Sequence, residues 1–251
     1  MAAIDLNADL GETVDGVPTA DDEAMFAVIS SANIACGGHA GGGAALTEAV
    51  DRARRHRVAV GAHPSYPDRV GFGRVRIDID DDDLALTLDQ QLRALERAGA
   101  SIRYVKPHGA LYHAVTTDAG QARVVAHVVA AASERAGRAL PILGLAGEIL
   151  AAAEDVGLPF VGEAFLDRGY LPTGALVPRG QPGALLDSPE VVAARAVRLA
   201  RHGEVEAVDG SVVRTRAVSM CLHGDSPSAV AMARAVRSAL DDAAIDVRAP
   251  W

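Results

Sequence analysis

Short apolar runs alternate with amphipathic stretches along the whole chain. Seven of these runs read as strands: residues 3–6, 32–35, 58–61, 102–105, 140–145, 160–164 and 218–222. Each is mostly apolar and bounded by Gly, Pro or polar clusters, the pattern of strands covered on both faces. The stretches between them are helical in period. Leu84, Leu88, Leu92 and Leu95 fall on one face, with Asp89, Arg93, Glu96 and Arg97 elsewhere. Val124, Val125, Val128, Val129 and Ala132 mark a second helix, and Val230, Ala233, Val236 and Leu240 the last. Residues 80–83 are four aspartates at the start of the first of these helices, where acids suit the positive end of the dipole. Read instead as a calcium loop, that run lacks the Gly and distal Glu of a hand-type site.

No Pro/Ser-rich linker, low-complexity tract or internal repeat divides the chain. A single domain over residues 1–251 follows, an α/β fold of about seven strand–helix units. Such an alternation closes most naturally as a TIM-like barrel of seven or eight units, with an incomplete last unit allowed; an open doubly wound sheet is the alternative. Residues 167–186 form a long loop punctuated by Gly and Pro, a kind that is usually functional or mobile. Residues 204–216 read as a hairpin turning at Asp209-Gly210. Neither standard nucleotide loop is present: no Gly-x-Gly-x-x-Gly follows the first strand, and no Gly-x-x-x-x-Gly-Lys-Ser/Thr occurs.

Composition narrows the function. The chain is 49% hydrophobic and 23% charged, as in soluble globular proteins. Its net charge of −9 argues against binding nucleic acid, while leaving room for a local basic site for a small anion. Two cysteines, Cys36 and Cys221, make no disulfide framework and suit a reducing compartment. The opening Met1-Ala2-Ala3-Ile4-Asp5 lacks the basic and apolar regions of a signal peptide. No apolar stretch reaches the roughly 18 residues of a spanning helix. The expectation is a cytoplasmic protein with no membrane partner; a homo-oligomer stays open.

The candidate chemistry is positional. The strands run into Asn7, Asp9 and Glu12; into Cys36-Gly37-Gly38-His39; into His63-Pro64; into Lys106-Pro107-His108; into Glu163 and Asp167-Arg168; and into His223-Gly224-Asp225. In a parallel barrel the carboxyl ends of all strands open on one face, where active sites sit. Of eight histidines, His39, His63, His108 and His223 occupy such ends, whereas His56, His127 and His202 fall in helical patterns and read as surface. Singly, a strand-end histidine is as well explained by a structural hydrogen bond. Four together with Asp9, Glu12, Lys106 and Asp225 point to a catalytic pocket.

Three chemistries stay open within it. Asp9, His39 and His63 offer a metal set. Cys36 or Cys221 offers a thiol nucleophile, against which stands the commonness of buried inert cysteine. Asp9 or a histidine offers metal-free water activation, with Lys106 stabilising negative charge. The turn over residues 36–43, with five glycines, is either a backbone cradle for an anion or simply a tight strand-to-helix turn. Pro64, Pro67 and Pro107 restrict the backbone beside His63 and His108. Arg69 and Arg74 are cations suited to an anionic substrate, or plain solvated surface.

Taken together the motifs carry a resemblance. Ile4-Asp5-Leu6-Asn7-Ala8-Asp9-Leu10-Gly11-Glu12, Ser31-Ala32-Asn33-Ile34-Ala35-Cys36-Gly37-Gly38-His39-Ala40-Gly41, Gly61-Ala62-His63-Pro64 with Gly71-Phe72-Gly73-Arg74, and Val105-Lys106-Pro107-His108-Gly109-Ala110-Leu111-Tyr112 are similar to blocks of the LamB/YcsF family. Asp167-Arg168-x-Tyr170, Leu176-Val177-Pro178-Arg179 and His223-Gly224-Asp225 extend the resemblance to about Leu240. The chain departs from the family pattern at Gly38, more often Phe; at Gly42, often an acid; and at Val75, usually Arg.

The resemblance implies a barrel of the glycoside hydrolase/deacetylase type. It also implies the role of the A subunit of the prokaryotic ATP-dependent 5-oxoprolinase, which hydrolyses 5-oxo-L-proline to L-glutamate with partner subunits B and C. With no ATP loop in this chain, ATP falls to the partners, and a divalent metal stays undecided. In that setting Asp9 is the water-activating base or a metal ligand, His39 and His63 surround the reacting carbon, Lys106 meets the oxyanion and His108 donates the proton. Asn7, Glu12, Gly37, Gly38, Arg74, Arg168, His223 and Asp225 are the expected substrate contacts. A stand-alone metal-dependent deacetylase or amidohydrolase, or a non-catalytic component binding a small acid, are the alternatives.

Overall fold

The computed structural model describes residues 3–251; the Met1-Ala2 part of the opening segment lies outside them. In chain order the elements are β1 (Ala3–Leu10), a hairpin of β2 (Thr13–Val14) and β3 (Val17–Pro18), α1 (Asp22–Phe26), β4 (Ser31–Ala35), α2 (Ala44–His56), β5 (Ala59–His63), α3 (Asp81–Arg97), β6 (Ile102–Val105) and α4 (Gly109–Ala114). There follow α5 (Ala119–Ala136), β7 (Ile142–Gly144), α6 (Glu148–Asp155), β8 (Phe160–Phe165), α7 (Pro189–His202), a hairpin of β9 (Glu204–Glu206) and β10 (Val212–Arg214), β11 (Ser219–Cys221), α8 (Ala229–Asp242) and β12 (Asp246–Val247).

Strands β1, β4, β5, β6, β7, β8 and β11 are parallel neighbours, and β11 pairs back onto β1 through Asp5↔Ser219, Leu6↔Met220 and Asn7↔Cys221. The barrel therefore closes on seven strands. The short β12 adds only to the start of β1, at Ala3 and Ile4. Leu84, Leu88, Leu92 and Leu95 are almost fully buried along α3, as their spacing predicts. The hairpin at Asp209-Gly210 forms as expected. A second one turns at Asp15-Gly16, where the sequence carries the same dipeptide signal between strands of two residues each.

The strands differ from expectation in where they stop. Residues 7–10 continue β1 as strand, so Asn7 and Asp9 lie within it, and likewise His63 ends β5; Glu163 sits inside β8, within the expected run 160–164. Alternation explains this. On β1, Leu6, Ala8 and Leu10 are fully buried among the apolar residues of the core, whereas Asp5, Asn7 and Asp9 occupy the other face. That face is the barrel interior. There Asp5 accepts from Ser219 Oγ at 2.5 Å and from Ser30 and Ser31 Oγ at 2.6 Å. Asn33 Nδ2 donates to Asn7 Oδ1 at 2.7 Å, and Tyr104 Oη donates to Asn33 Oδ1 at 2.6 Å. Polar side chains persist inside the strands because they satisfy one another, so the polar residues do not mark strand ends.

The amino-terminal end of the interior is covered by Trp251. Its ring stacks on Tyr104 at 4.1 Å between centroids, and its indole N–H donates to Ser31 Oγ at 2.9 Å. The segment 167–186 is a packed loop: Arg168 donates to the carbonyls of Ala184 and Val177 at 3.1 and 2.8 Å, and the Phe165 N–H donates to Tyr170 Oη at 2.6 Å.

Gly61 sits opposite Tyr104 in the β5–β6 register, and a β-carbon there would overlap the tyrosine ring. Gly61→Ala is expected to cost about 1–3 kcal/mol through overpacking. A thermal melt of the variant reads this directly, and an unchanged midpoint would show that the interior tolerates the added atom.

Candidate active site

The carboxyl-terminal mouth of the barrel holds a cavity of about 370 Å³. Asp9, Glu12, His63, Lys106 and His108 reach it from β1, β5 and the segments following β1 and β6. Arg74, Arg168, His223 and Asp225 complete its polar lining, with Tyr112, Phe165, Leu176 and Val177 as apolar wall.

At the base stands Lys106, 1% exposed. Its ammonium lies 3.2 Å from Asp9 Oδ1 and 3.1 Å from Glu163 Oε2. It also donates to Asn7 Oδ1 at 3.3 Å and to Cys221 Sγ at 3.1 Å. Burial opposes its charge, but Asp9, Cys221 and Glu163 outweigh burial and raise its pKa well above the ordinary lysine value. Burial also works against ionised Asp9. His63 and Lys106 outweigh it and hold that carboxyl well below its usual range.

Beside this pair lies a histidine group. His63 Nε2 is 3.3 Å from Asp9 Oδ2 and 3.0 Å from His108 Nδ1. His63 Nδ1 faces the Lys106 carbonyl at 2.8 Å, and His108 Nε2 faces the Phe72 carbonyl at 2.9 Å. Behind them His39 stacks on His108 at 3.6 Å between ring centroids, and its Nε2 meets Glu12 Oε1 at 3.0 Å. Burial, reinforced by His63, pushes the His39 pKa well down; burial, reinforced by His39 and His63, does the same to His108. Burial raises Glu12, with His108 acting against it.

The rim is charged and more open. Arg74 donates to Asp225 at 2.8 Å. His223 Nδ1 meets the buried Asp167 carboxylate at 2.9 Å, and its Nε2 faces an Arg179 guanidinium nitrogen at 3.3 Å. Burial works against charge on His223, but Asp167 outweighs it and raises the pKa.

The structure brings Asp9, Glu12, His63, Lys106, His108, Arg74, Arg168, His223 and Asp225 to one cavity, and leaves others out. His39 stands behind His108 and does not line it. Asn7 lies beneath Lys106. Gly37 and Gly38 are also outside the lining. A β-carbon on Gly38 would come within 2.5 Å of Gln91 Oε1 and Ser65 Oγ, which fill the space beside it. The glycine turn is no anion cradle at two of its amides: Gly37 N–H donates to the Ala40 carbonyl and Gly41 N–H to the Thr13 carbonyl, each at 3.0 Å. Arg69 is spent on the Gly37 and Gly41 carbonyls. The thiols do not suit a nucleophile: burial pushes Cys36 up to about 12 and Cys221 well above the ordinary value. Metal-ligating atoms converge in other sets than expected, with Asp9, His63 and His108 in one and Glu12, His39 and His108 in another, each set within 4.8 Å.

The residue string alone does not single out several of the partners. Asn33 and Tyr104 sit in apolar-looking strands, and only their place on the inward face of the barrel exposes their role. Glu163 reads from the sequence only as a strand end, yet it is the second counter-charge of Lys106. Arg179 lies in one of the family-like blocks, but its distance from His223 along the chain hides the contact.

Comparison with known proteins fixes the family. The LamB/YcsF pattern matches residues 4–250. The chain belongs to the LamB/YcsF family. It is 46% identical to a 5-oxoprolinase A subunit of Pseudomonas syringae pv. tomato, over 99% of this chain and 97% of that one. The crystal structure of a lactam utilization protein from Thermus thermophilus superposes with a TM-score of 0.91 at 41% identity, covering 98% of this chain and 99% of that one. A deacetylase, T48, shares the barrel alone, at 12% identity and a TM-score of 0.52 over 98% of this chain and 87% of its own. The family's more frequent Phe at position 38 has no room here, since Gln91 and Ser65 occupy it.

Lys106→Met strands the Glu163 carboxylate, whose side chain is fully buried, and is expected to cost about 3–5 kcal/mol of stability. Adding Glu163→Gln is expected to recover much of that loss. Denaturant titration of both single variants and the double variant measures the coupling, and additive effects would refute it.

Proposed function

We propose that this chain is the A subunit of an ATP-dependent 5-oxoprolinase, opening the lactam of 5-oxo-L-proline to give L-glutamate in the cytoplasm, while partner subunits B and C handle ATP. The observation that carries the reading is a buried ammonium, Lys106, at the base of a cavity of about 370 Å³ with the Asp9–His63–His108 group beside it. That space suits a five-membered ring, and the family relatives named as 5-oxoprolinase A subunits support the substrate.

A lactam is an unactivated amide. Attack of water on its carbonyl carbon builds negative charge on oxygen, and a fixed cation in a water-poor site stabilises that charge strongly. Lys106 is fixed by four neighbours and supplies it. Phosphorylation of the lactam oxygen by the partners would make the ring carbon a better electrophile; water then adds to that carbon, inorganic phosphate leaves as the carboxylate and the free amine form, and the charge that Lys106 meets is that of the phosphoryl oxygens rather than of an alkoxide. The attacking water is activated within the Asp9–His63–His108 group. The ring nitrogen must then take up a proton. His108 is badly placed to give it, because its Nε2 is directed at the Phe72 carbonyl and its Nδ1 at His63. We assign the proton to His223 at the rim: Asp167 holds Nδ1, and Nε2, which accepts from Arg179 in this structure, donates once the substrate displaces that guanidinium.

The purified chain with ATP and 5-oxoproline is expected to form no glutamate, and to do so once subunits B and C are added. Lys106→Ala is expected to lower that turnover roughly 10²–10³-fold. Turnover by the chain alone without ATP would identify a free-standing amidohydrolase instead. Binding of 5-oxoproline with turnover unaffected in Asp9→Ala and Lys106→Ala would identify a binding component.

The proton assignment has a pH signature. Asp167 raises the His223 pKa above 6.5, so the donor is charged below that raised value and is lost as pH rises through it. Asp167→Asn removes the cause and is expected to move the alkaline limb of the kcat profile of the reconstituted complex to lower pH. An unmoved limb would assign the proton elsewhere.

A further inference from the structure

We infer that Asp9, His63 and His108 form a binding site for one divalent transition-metal ion, open to the cavity. The inference starts from the backbone. A carbonyl oxygen only accepts, so His63 Nδ1, 2.8 Å from the Lys106 carbonyl, carries a hydrogen, as does His108 Nε2, 2.9 Å from the Phe72 carbonyl. In the neutral rings the other nitrogens are bare. These are His63 Nε2 and His108 Nδ1, and they face each other at 3.0 Å. Asp9 Oδ2, a third acceptor, lies 3.3 Å from the same His63 nitrogen. Glu12 Oε1 stands 3.6 Å from His108 Nδ1. Lone pairs and negative charge converge, and a cation must lie among them, either a shared proton or a metal ion.

The geometry accommodates the metal. Ligands about 2.1 Å from an ion stand about 3.0 Å apart at right angles and about 3.4 Å apart in a tetrahedron. The nitrogen–nitrogen and nitrogen–oxygen separations around His63 Nε2 fall within that range. Lys106 takes the other oxygen of Asp9, Oδ1, and leaves Oδ2 to the ion. A ring N–H held by a backbone carbonyl is the usual way a protein orients a metal-binding histidine, and both rings have it. All three residues line the cavity, so the remaining coordination positions face the substrate. Two imidazoles and one carboxylate suit zinc, manganese, iron, cobalt or nickel better than magnesium or calcium. Of the alternative sets, the one through His39 is set back from the cavity, with His39 Nε2 taken by Glu12, and in the one of Asp9, Cys221 and His223 the thiol accepts from Lys106 and His223 Nδ1 is held by Asp167.

The inference deepens the hydrolytic reading, yet ion binding is measurable on the isolated chain without turnover. Chelator-treated protein titrated with zinc chloride in a calorimeter is expected to bind one ion per chain. His63→Gln and His108→Gln should each weaken binding by more than about 100-fold, beyond the loss typical of an outer-shell change. His113→Gln, an exposed histidine at the same cavity, should leave it unchanged. Nitrogen NMR of the wild-type protein guards against variants that fail to fold: zinc should shift His63 Nε2 and His108 Nδ1 far more than their partner nitrogens. No uptake, uptake indifferent to both substitutions, or an NMR signature of one proton shared between the rings would overturn the site. The same outcomes leave the lactam reading intact, since turnover is measured separately with subunits B and C.

Discussion

A lysine ammonium enclosed in a barrel must be neutralised where it stands, and much of this molecule's interior follows from that. An isolated charge in such a place costs several kcal/mol even after relaxation, and more when solvent is excluded. Here Asp9 and Glu163 approach from β1 and β8, on opposite sides of the ammonium's own strand, and its three N–H groups are directed at Asp9, Asn7 and Cys221. Each of those groups needs partners in turn. Asn33 holds both Asn7 and Asp9, Tyr104 holds Asn33, and Ser219 joins Asn7 to Asp5. The network runs along the barrel axis and ties five of the seven strands together through side chains as well as backbone.

This changes what the core does. A barrel interior is usually filled by layers of bulky aliphatic side chains, with chemistry confined to the loops above. In this family member the aliphatic packing lies between strands and helices, and the interior carries hydrogen bonds and charge. The cavity residues thus rest on groups that are themselves hydrogen-bonded or ion-paired. Such a support keeps the base of a site preorganised without large rearrangement during reaction.

The barrel was legible because each strand's apolar face is regular and each helix repeats its stripe, as with Leu84, Leu88, Leu92 and Leu95. The strand-end rule also finds much of the cavity lining, since Asp9, His63, Lys106 and His108 do lie toward the mouth. It wrongly sets Asn7 and Asp9 after β1, because polar residues ordinarily end a strand, and here they alternate through it. Gly37, Gly38 and His39 share one turn with one another, but adjacency in sequence does not aim side chains at a common point. Pairings such as His223 with Arg179, or Lys106 with Glu163, join segments far apart in the chain, and only closure of the sheet specifies them. Which nitrogen of a histidine is bare depends on a backbone carbonyl nearby, and that has no trace in the residue string.

The indole of Trp251 against Tyr104 and Ser31 gives the barrel a floor. A vessel with a stopper below is loaded and drained through the same opening. Whatever enters then leaves by the way it came, so one occupant has to clear the doorway before the next is admitted. Whatever rests on the rim controls both journeys at once.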